Sequence, residues 1–300
     1  MQSIEQIKQG VEAGNFLALA KTISAIENDA NKATNFLESL RPSLAPIIGI
    51  TGPPGAGKST LIASLIQAWV EEGKRIAVLS VDPSSPFHQG AILGDRIRMR
   101  EWYLHPQVFI RSLASRGHLG GLNATTIELT TLLQSAGFDI IILETVGVGQ
   151  SEVEVAALAD TTLVVLVPEA GDDIQMMKSG LMEVADIFVV NKSDRPDANA
   201  FASHIQQMLI ENHATEKASV VQTIASQKEG IEALVAAIKH HQALANHVSS
   251  KKKLLLSKTM QLIVAKKMQQ LNYTEIEEAL SEAMQTSSSF NIFEFAKKFF

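Results

Sequence analysis

Between residues 46 and 225 the chain alternates short apolar runs with amphipathic stretches. The runs are Ile47–Ile50, Ile76–Val81, Val108–Arg111, Ile140–Glu144, Thr162–Val167, Ile187–Asn191 and Val220–Ile224. Their length and near-continuous Val, Ile and Leu content predict strands buried on both faces. Helical spacing marks Leu61–Val70, Thr125–Ala136, Ile174–Val184 and Ala200–Glu211 between them. Strand–helix alternation of this kind predicts an α/β fold, a mainly parallel sheet with helices on both faces. Ligands of such sheets bind beyond the carboxyl ends of the strands, so polar residues at strand ends are the first functional candidates.

The flanks read differently. In residues 1–45, Phe16, Leu17, Leu19, Ala20, Ile23 and Ile26 recur at helical spacing, which predicts a helical N-terminal extension capping the main domain. From 249 onward Leu256, Met260, Val264, Met268 and Leu271 form a second helical stripe. The tail from Phe290 to Phe300 holds five phenylalanines in eleven residues, too much apolar surface to leave in water. It is expected to dock on its own domain or on a second subunit. The expected division is therefore 1–45, a core domain over 46–248, and a C-terminal helical segment over 249–300 that is a candidate for dimerisation.

Composition narrows the classes. An apolar fraction of 46% in 300 residues supports a substantial core. A net charge of −6 argues against a general nucleic-acid binder. The absence of cysteine excludes disulfides, thiolate metal sites and cysteine nucleophiles. No stretch approaches the roughly 20 apolar residues of a membrane span, and the first residues lack the pattern of a signal peptide. A soluble cytoplasmic protein with no nucleic-acid or membrane partner is the expectation.

The first strand end carries the most specific chemistry. Gly52-Pro53-Pro54-Gly55-Ala56-Gly57-Lys58-Ser59-Thr60 fits G-x-x-x-x-G-K-[ST], the phosphate-binding loop of nucleoside triphosphatases, with a strand before it and a helix after it. Gly52, Gly55 and Gly57 permit backbone conformations that turn several N–H groups toward one anion. Lys58 is expected at the β- and γ-phosphates, and the Ser59 hydroxyl at Mg²⁺. The second strand ends in Asp82, with Asp95 further along the same connection, and both are candidates for a metal or its waters. Helix capping is the ordinary alternative for a lone Asp at a strand end, but the phosphate loop raises the functional odds for both. The fourth strand ends in Glu144-Thr145-Val146-Gly147, an acid after four apolar residues followed by the glycine of an acid-x-x-Gly γ-phosphate switch. A buried strand acid without a partner is costly, which weakens the reading of Glu144 as a casual core residue.

The base is read at the sixth strand. Asn191-Lys192-Ser193-Asp194 is the N-K-x-D guanine motif. One carboxylate, that of Asp194, accepts the parallel N–H donors of guanine, which adenine lacks, and the Lys192 stem lies over the base plane. Thr223-Ile224-Ala225 ends the seventh strand, and similarity to GTPases that carry the N-K-x-D motif implies a backbone donor to the guanine oxygen there. The bound ligands are thus GTP or GDP with Mg²⁺. The acidic stretch Glu169–Lys178 is either a helix start or a further switch facing a partner. His240, His241 and His247, without a carboxylate or Cys cluster at ligand spacing, are read as solvated helix residues, and His88 and His118 stay open.

The chain resembles the P-loop GTPases that associate with methylmalonyl-CoA mutase, a group also described as arginine/ornithine transport kinases. The resemblance rests on Val81–Pro86, Gly94–Met99, Arg116–Gly121, Glu144–Glu152, Glu169–Asp172 and Asn191–Asp194, in that order. It implies a homodimeric chaperone of an adenosylcobalamin-dependent acyl-CoA mutase, in which GTP binding and hydrolysis gate cofactor delivery and protect the mutase. It implies Gly52–Thr60 at the phosphates, Ser59, Asp82, Asp95 and Glu144 around Mg²⁺, with Lys58, Asp82 and Glu144 as the catalytic set. Lys178 becomes the sensitive position of an extra switch. His88-Gln89-Gly90 departs from the family's Thr-Gly-Gly. Val148 stands where many regulatory GTPases place a water-orienting glutamine, which predicts slow intrinsic hydrolysis accelerated by a partner. Competing readings are a metal-delivery GTPase for nickel enzymes, which lacks its Cys ligands here, a kinase acting on a transport protein, and a regulatory module without turnover.

Overall fold

All seven apolar runs form strands of a single sheet. A computed structural model describes residues 4–28, 36–43, 45–82, 99–114, 124–145, 151–168, 182–211 and 218–245, together with 276, 278, 279 and 282. The strands are β1 (Ile47–Thr51), β2 (Ile76–Asp82), β3 (Val108–Ala114), β4 (Ile140–Thr145), β5 (Thr161–Leu166), β6 (Ile187–Asn191) and β7 (Ser219–Thr223). Their order is β3-β2-β4-β1-β5-β6-β7, and every pairing is parallel. The expected mainly parallel sheet is thus parallel throughout the described residues. Parallel strands need crossover connections, and those connections place helices on the two faces.

The helices are α1 (Ile4–Glu12), α2 (Phe16–Asn28), α3 (Lys58–Glu71), α4 (Ala124–Gln134), α5 (Ser151–Leu158), α6 (Ala198–Glu211) and α7 (Ile231–Ala245). Alternate residues of each strand feed opposite layers. Ile47, Ala77, Leu79, Ile141 and Leu143 pack toward Leu19 and Ile23 of α2, Leu129 and Leu133 of α4, and Val155 of α5. Ile48, Ile50, Val78, Ile142 and Val165 pack on the other face against Leu61, Ile62 and Leu65 of α3 and Leu234 and Ile238 of α7. A third cluster joins Val164, Phe188 and Val190 to Phe201, Ile205 and Leu209 of α6. Strands apolar along their whole length are the consequence of being covered on both sides.

The N-terminal helices belong to the first of these layers, with Val11, Leu19, Ile23 and Ile26 fully buried. Two arginines fasten this layer. Arg111 of β3 pairs with Glu27 at 2.6 Å and donates to Ser24 at 3.1 Å. Arg75 donates to the carbonyls of Gly14 and Gly137, each at 3.2 Å, and stacks over the Phe138 ring.

One expectation is corrected at the opposite edge of the sheet from the phosphate loop. His241 is not a solvated helix residue. Its Nε2 lies 3.2 Å from Asp186 Oδ1, and its Nδ1 is 3.0 Å from the buried Thr161 hydroxyl. The turn of α7 that carries it passes over the starts of β5 and β6, so the ring is drawn into their polar groups. Of the predicted helix Ile174–Val184, the turn Met182–Val184 is described and the remainder lies outside the described residues. The Phe-rich tail, Glu169–Lys178, His88 and His118 also lie outside them. No helix among the described residues is long and apolar enough to cross a membrane.

Candidate functional site

Because every strand runs the same way, the ends of β1, β2, β4, β6 and β7 emerge along one edge of the sheet. This gathers Thr51, Asp82, Thr145, Asn191 and Thr223, which are far apart in sequence, above neighbouring strands.

The turn Gly52–Gly57 links β1 to α3. Gly52 takes φ 137° and Gly57 takes φ 90°, values that L side chains rarely adopt. Space enforces the same choice. A Cβ on Gly52 would lie 2.1 Å from the Val165 carbonyl oxygen, and one on Gly57 would lie 2.5 Å from Asn191 Nδ2. Gly57 occupies the N-cap position of α3 without a side-chain cap, so the helix presents its first backbone N–H groups to the loop. Lys58 is buried, and its ammonium donates to the carbonyls of Gly52 at 2.7 Å and Pro53 at 3.0 Å. The lysine thus ties the start of α3 to the first two residues of the loop.

Glu144 sits at the next strand over and is only 2% exposed. Its Oε1 accepts the Ser59 hydroxyl at 3.1 Å, and its Oε2 accepts the Ser80 hydroxyl at 3.0 Å. Ser80 lies directly across from Glu144 in the β2–β4 register. Behind them the Thr145 hydroxyl meets that of Thr51 at 3.2 Å. Sequence reasoning missed Ser80, although a lone hydroxyl inside the apolar run Ile76–Val81 was a usable signal. Burying one without a partner is unfavourable, so it implies a buried acceptor nearby.

Asn191, at the end of β6, is 2% exposed. Its Nδ2 donates to the Ala56 carbonyl at 2.8 Å, while its Oδ1 accepts the Thr223 hydroxyl and the Ala225 N–H, both at 3.1 Å. Lys192 follows in the left-handed region with φ 58°, and its ammonium donates to the Gly55 carbonyl at 2.7 Å. Ser193 is tied on both sides, its N–H to the Thr223 carbonyl at 3.1 Å and its hydroxyl to Val190 at 2.8 Å. These bonds fix the turn that leaves Asp194 exposed at the rim. The Ile224 N–H is engaged by the Glu229 carbonyl at 3.0 Å, and Ser64 of α3 donates to the Ala225 carbonyl at 2.8 Å. Ser64 also went unnoticed in the sequence, since on a helix face it is indistinguishable from a solvated serine.

Not every expected residue is reached. Asp82 ends β2 beside Ala114, but its side chain lies outside the described residues. Asp95, Gly147 and Val148 lie outside them entirely. Pro54 and Gly55 form the turn of the loop, which the Ala56 N–H closes by donating to the Pro53 carbonyl at 3.3 Å, and Thr60 lies in the first turn of α3. Among the described residues no group of three or more His, Asp or Glu side chains stands ready for a metal. A serine hydroxyl bonded to a buried carboxylate is nevertheless an all-oxygen set suited to Mg²⁺, which takes few protein ligands and relies on phosphate oxygens and water for the rest.

The profile of the methylmalonyl-CoA mutase-associated GTPase MeaB matches residues 19–283. The chain belongs to this GTPase family. This GTPase is 42% identical over 275 residues to a GTPase of Pyrococcus horikoshii, covering 88% of the chain and 87% of the relative. It is 39% identical over 247 residues to GTPase ArgK of Escherichia coli, covering 79% and 74%. The mitochondrial methylmalonic aciduria type A homolog of Mus musculus is 33% identical over 267 residues, covering 81% of this chain and 64% of its own. A crystal structure described as a LAO/AO transport system kinase shares the fold, with TM-score 0.67 at 23% identity over 99% of this chain and 96% of that one. Binding of GTP and GDP and hydrolysis of GTP follow from membership of the family.

Proposed function

We propose that this GTPase is a chaperone of an adenosylcobalamin-dependent acyl-CoA mutase of the methylmalonyl-CoA mutase type, acting as a homodimer. The observation that carries the mutase assignment is the family match over residues 19–283, whose name couples the GTPase to methylmalonyl-CoA mutase. The kinship to a mitochondrial protein named for methylmalonic aciduria supports it.

In this reading the loop Gly52–Thr60 cradles the phosphates. Its N–H groups and the α3 N-terminus face the charge that develops during hydrolysis, and Lys58 turns from the loop carbonyls to the β- and γ-phosphates. Asn191 holds the loop and the base-reading strands at a set distance. Asp194 accepts the paired N–H donors of guanine, Lys192 covers the base, and Thr223–Ala225 close the pocket around it. Ser59 contributes a hydroxyl to Mg²⁺, with Glu144, Asp82 and Asp95 in its surroundings, and the Gly147 N–H reports on the γ-phosphate. Mg²⁺, when bound, offsets phosphate charge. Water attacks the γ-phosphate, giving GDP and inorganic phosphate. Lys58, Asp82 and Glu144 form the catalytic set. With Val148 in place of a water-orienting glutamine, the reaction is slow until a partner completes the site.

The test is capture from the native cell with a non-hydrolysable GTP analogue bound, followed by GTPase assays with and without the captured mutase. Retention of an acyl-CoA mutase and accelerated hydrolysis in its presence are expected. Fast hydrolysis by the GTPase alone, unaltered by any acyl-CoA mutase, would overturn the chaperone reading.

A further inference from the structure

The buried strand β2 contains one hydroxyl that packing does not require. Ile76, Ala77, Val78 and Leu79 are fully buried and apolar, and the next position is Ser80, only 5% exposed. On a strand covered on both faces, a buried hydroxyl loses its water and is sustained only by a good acceptor. Ser80 has that acceptor in the Oε2 of Glu144, directly opposite in the parallel ladder. The other carboxylate oxygen accepts the hydroxyl of Ser59, the residue that follows the phosphate-loop lysine.

We propose that Ser80 is a positioning residue for the divalent cation, acting through Glu144 on Ser59. A glutamate has several rotatable bonds, and its carboxylate plane is set by what it accepts. With Ser80 donating to one oxygen, the other is aimed at Ser59 and accepts the hydrogen bond of its hydroxyl. A serine that donates its hydrogen bond in one direction offers its oxygen lone pairs in another, which is the orientation a cation at the phosphate loop needs. Both oxygens of the Glu144 carboxyl act as acceptors in this small relay, which ties the orientation of Ser59 to Ser80. Removing the Ser80 hydroxyl takes away one of the bonds that orient the carboxylate and so weakens its aim at Ser59. The inference rests on the reading of Ser59 as a Mg²⁺ ligand.

The test compares Ser80→Ala, Ser80→Val and Ser80→Thr in the full chain. Thr restores the hydroxyl, and Val has the shape of Thr without it. The measured quantity is the ratio of GDP affinities in saturating Mg²⁺ and in excess chelator, read by a fluorescent GDP analogue and independent of turnover. The Mg²⁺ concentration giving half of the fluorescence change is read beside it. Loss of one hydrogen bond to a charged acceptor predicts a ratio about tenfold smaller in Ala and Val, with a matching rise in half-saturating Mg²⁺ and recovery in Thr. A merely structural defect lowers both affinities together and keeps the ratio. A wild-type ratio in Ser80→Ala and Ser80→Val, or equal losses in Thr and Val, would overturn the positioning role while leaving the Ser59 reading in place. A natural chain whose GDP affinity does not respond to Mg²⁺ at all would instead sink that reading, and this inference with it.

Discussion

The side-chain amide of Asn191 donates to the carbonyl of Ala56 at 2.8 Å and so ties the end of β6 to the middle of the phosphate loop. Its oxygen meanwhile holds the Thr223 hydroxyl and the Ala225 N–H of the next strand end. One buried amide therefore sets the spacing between the loop that follows β1 and the ends of β6 and β7.

Replacing Asn191 with Ala should affect stability and binding together. The substitution strands three buried groups, so a loss of about 2–4 kcal/mol in urea unfolding is expected. GDP affinity should fall by more than tenfold. An unfolding free energy within error of the natural protein would show that the junction is not structural.

Gly57→Ala tests the loop from the other side. The new Cβ would stand 2.5 Å from Asn191 Nδ2 at a backbone position with φ 90°. The left-handed conformation alone costs a non-glycine residue about 1–2 kcal/mol, and the clash displaces Asn191 as well. GDP binding by calorimetry should weaken by tenfold or more, with normal affinity as the contrary result.

Lys58→Ala should abolish GTP hydrolysis, by a factor on the order of a hundred or more in kcat, the scale of losing one preorganised charge-stabilising donor. Phosphate release by purified protein, with and without its partner, measures it. Activity close to that of the natural chain would remove Lys58 from the reaction.

Asp194→Asn should move nucleotide preference from GTP to xanthosine triphosphate. The amide supplies a donor where xanthine has an oxygen and meets the guanine amino group with a donor of its own. A site built around such donors and acceptors discriminates strongly against the unmatched partner, and a change in relative affinity of at least tenfold is expected. Unchanged preference in a competition assay would refute the assignment of Asp194 to the base.

Local sequence was informative wherever a pattern is enforced by a local rule. A strand covered on both faces is mostly apolar, so Ile47–Ile50 and Ile187–Asn191 announced β1 and β6 with little ambiguity. A loop that turns on glycines with positive φ has few substitutes, so Gly52 and Gly57 were visible as well. The α3 start was placed at Thr60, two residues late, because Lys58 and Ser59 read as loop chemistry, whereas the helix begins at Lys58.

The pairings were hidden. Ser80 and Glu144 are 64 positions apart, and their meeting depends on β2 lying beside β4 in one register. Ser64 reaches the Ala225 carbonyl because α3 crosses the β7 end, and His241 meets Asp186 because α7 returns over β5 and β6. Nothing in a periodicity of 2 or 3.6 specifies strand order, so nothing in it identifies which hydroxyl faces which carboxylate. Residue types and their spacing were enough to name the chemistry of this GTPase, because phosphate, guanine and buried strands each demand particular side chains. The alignment of those side chains came from the packing of a parallel sheet, which alone brings distant strand ends to one edge.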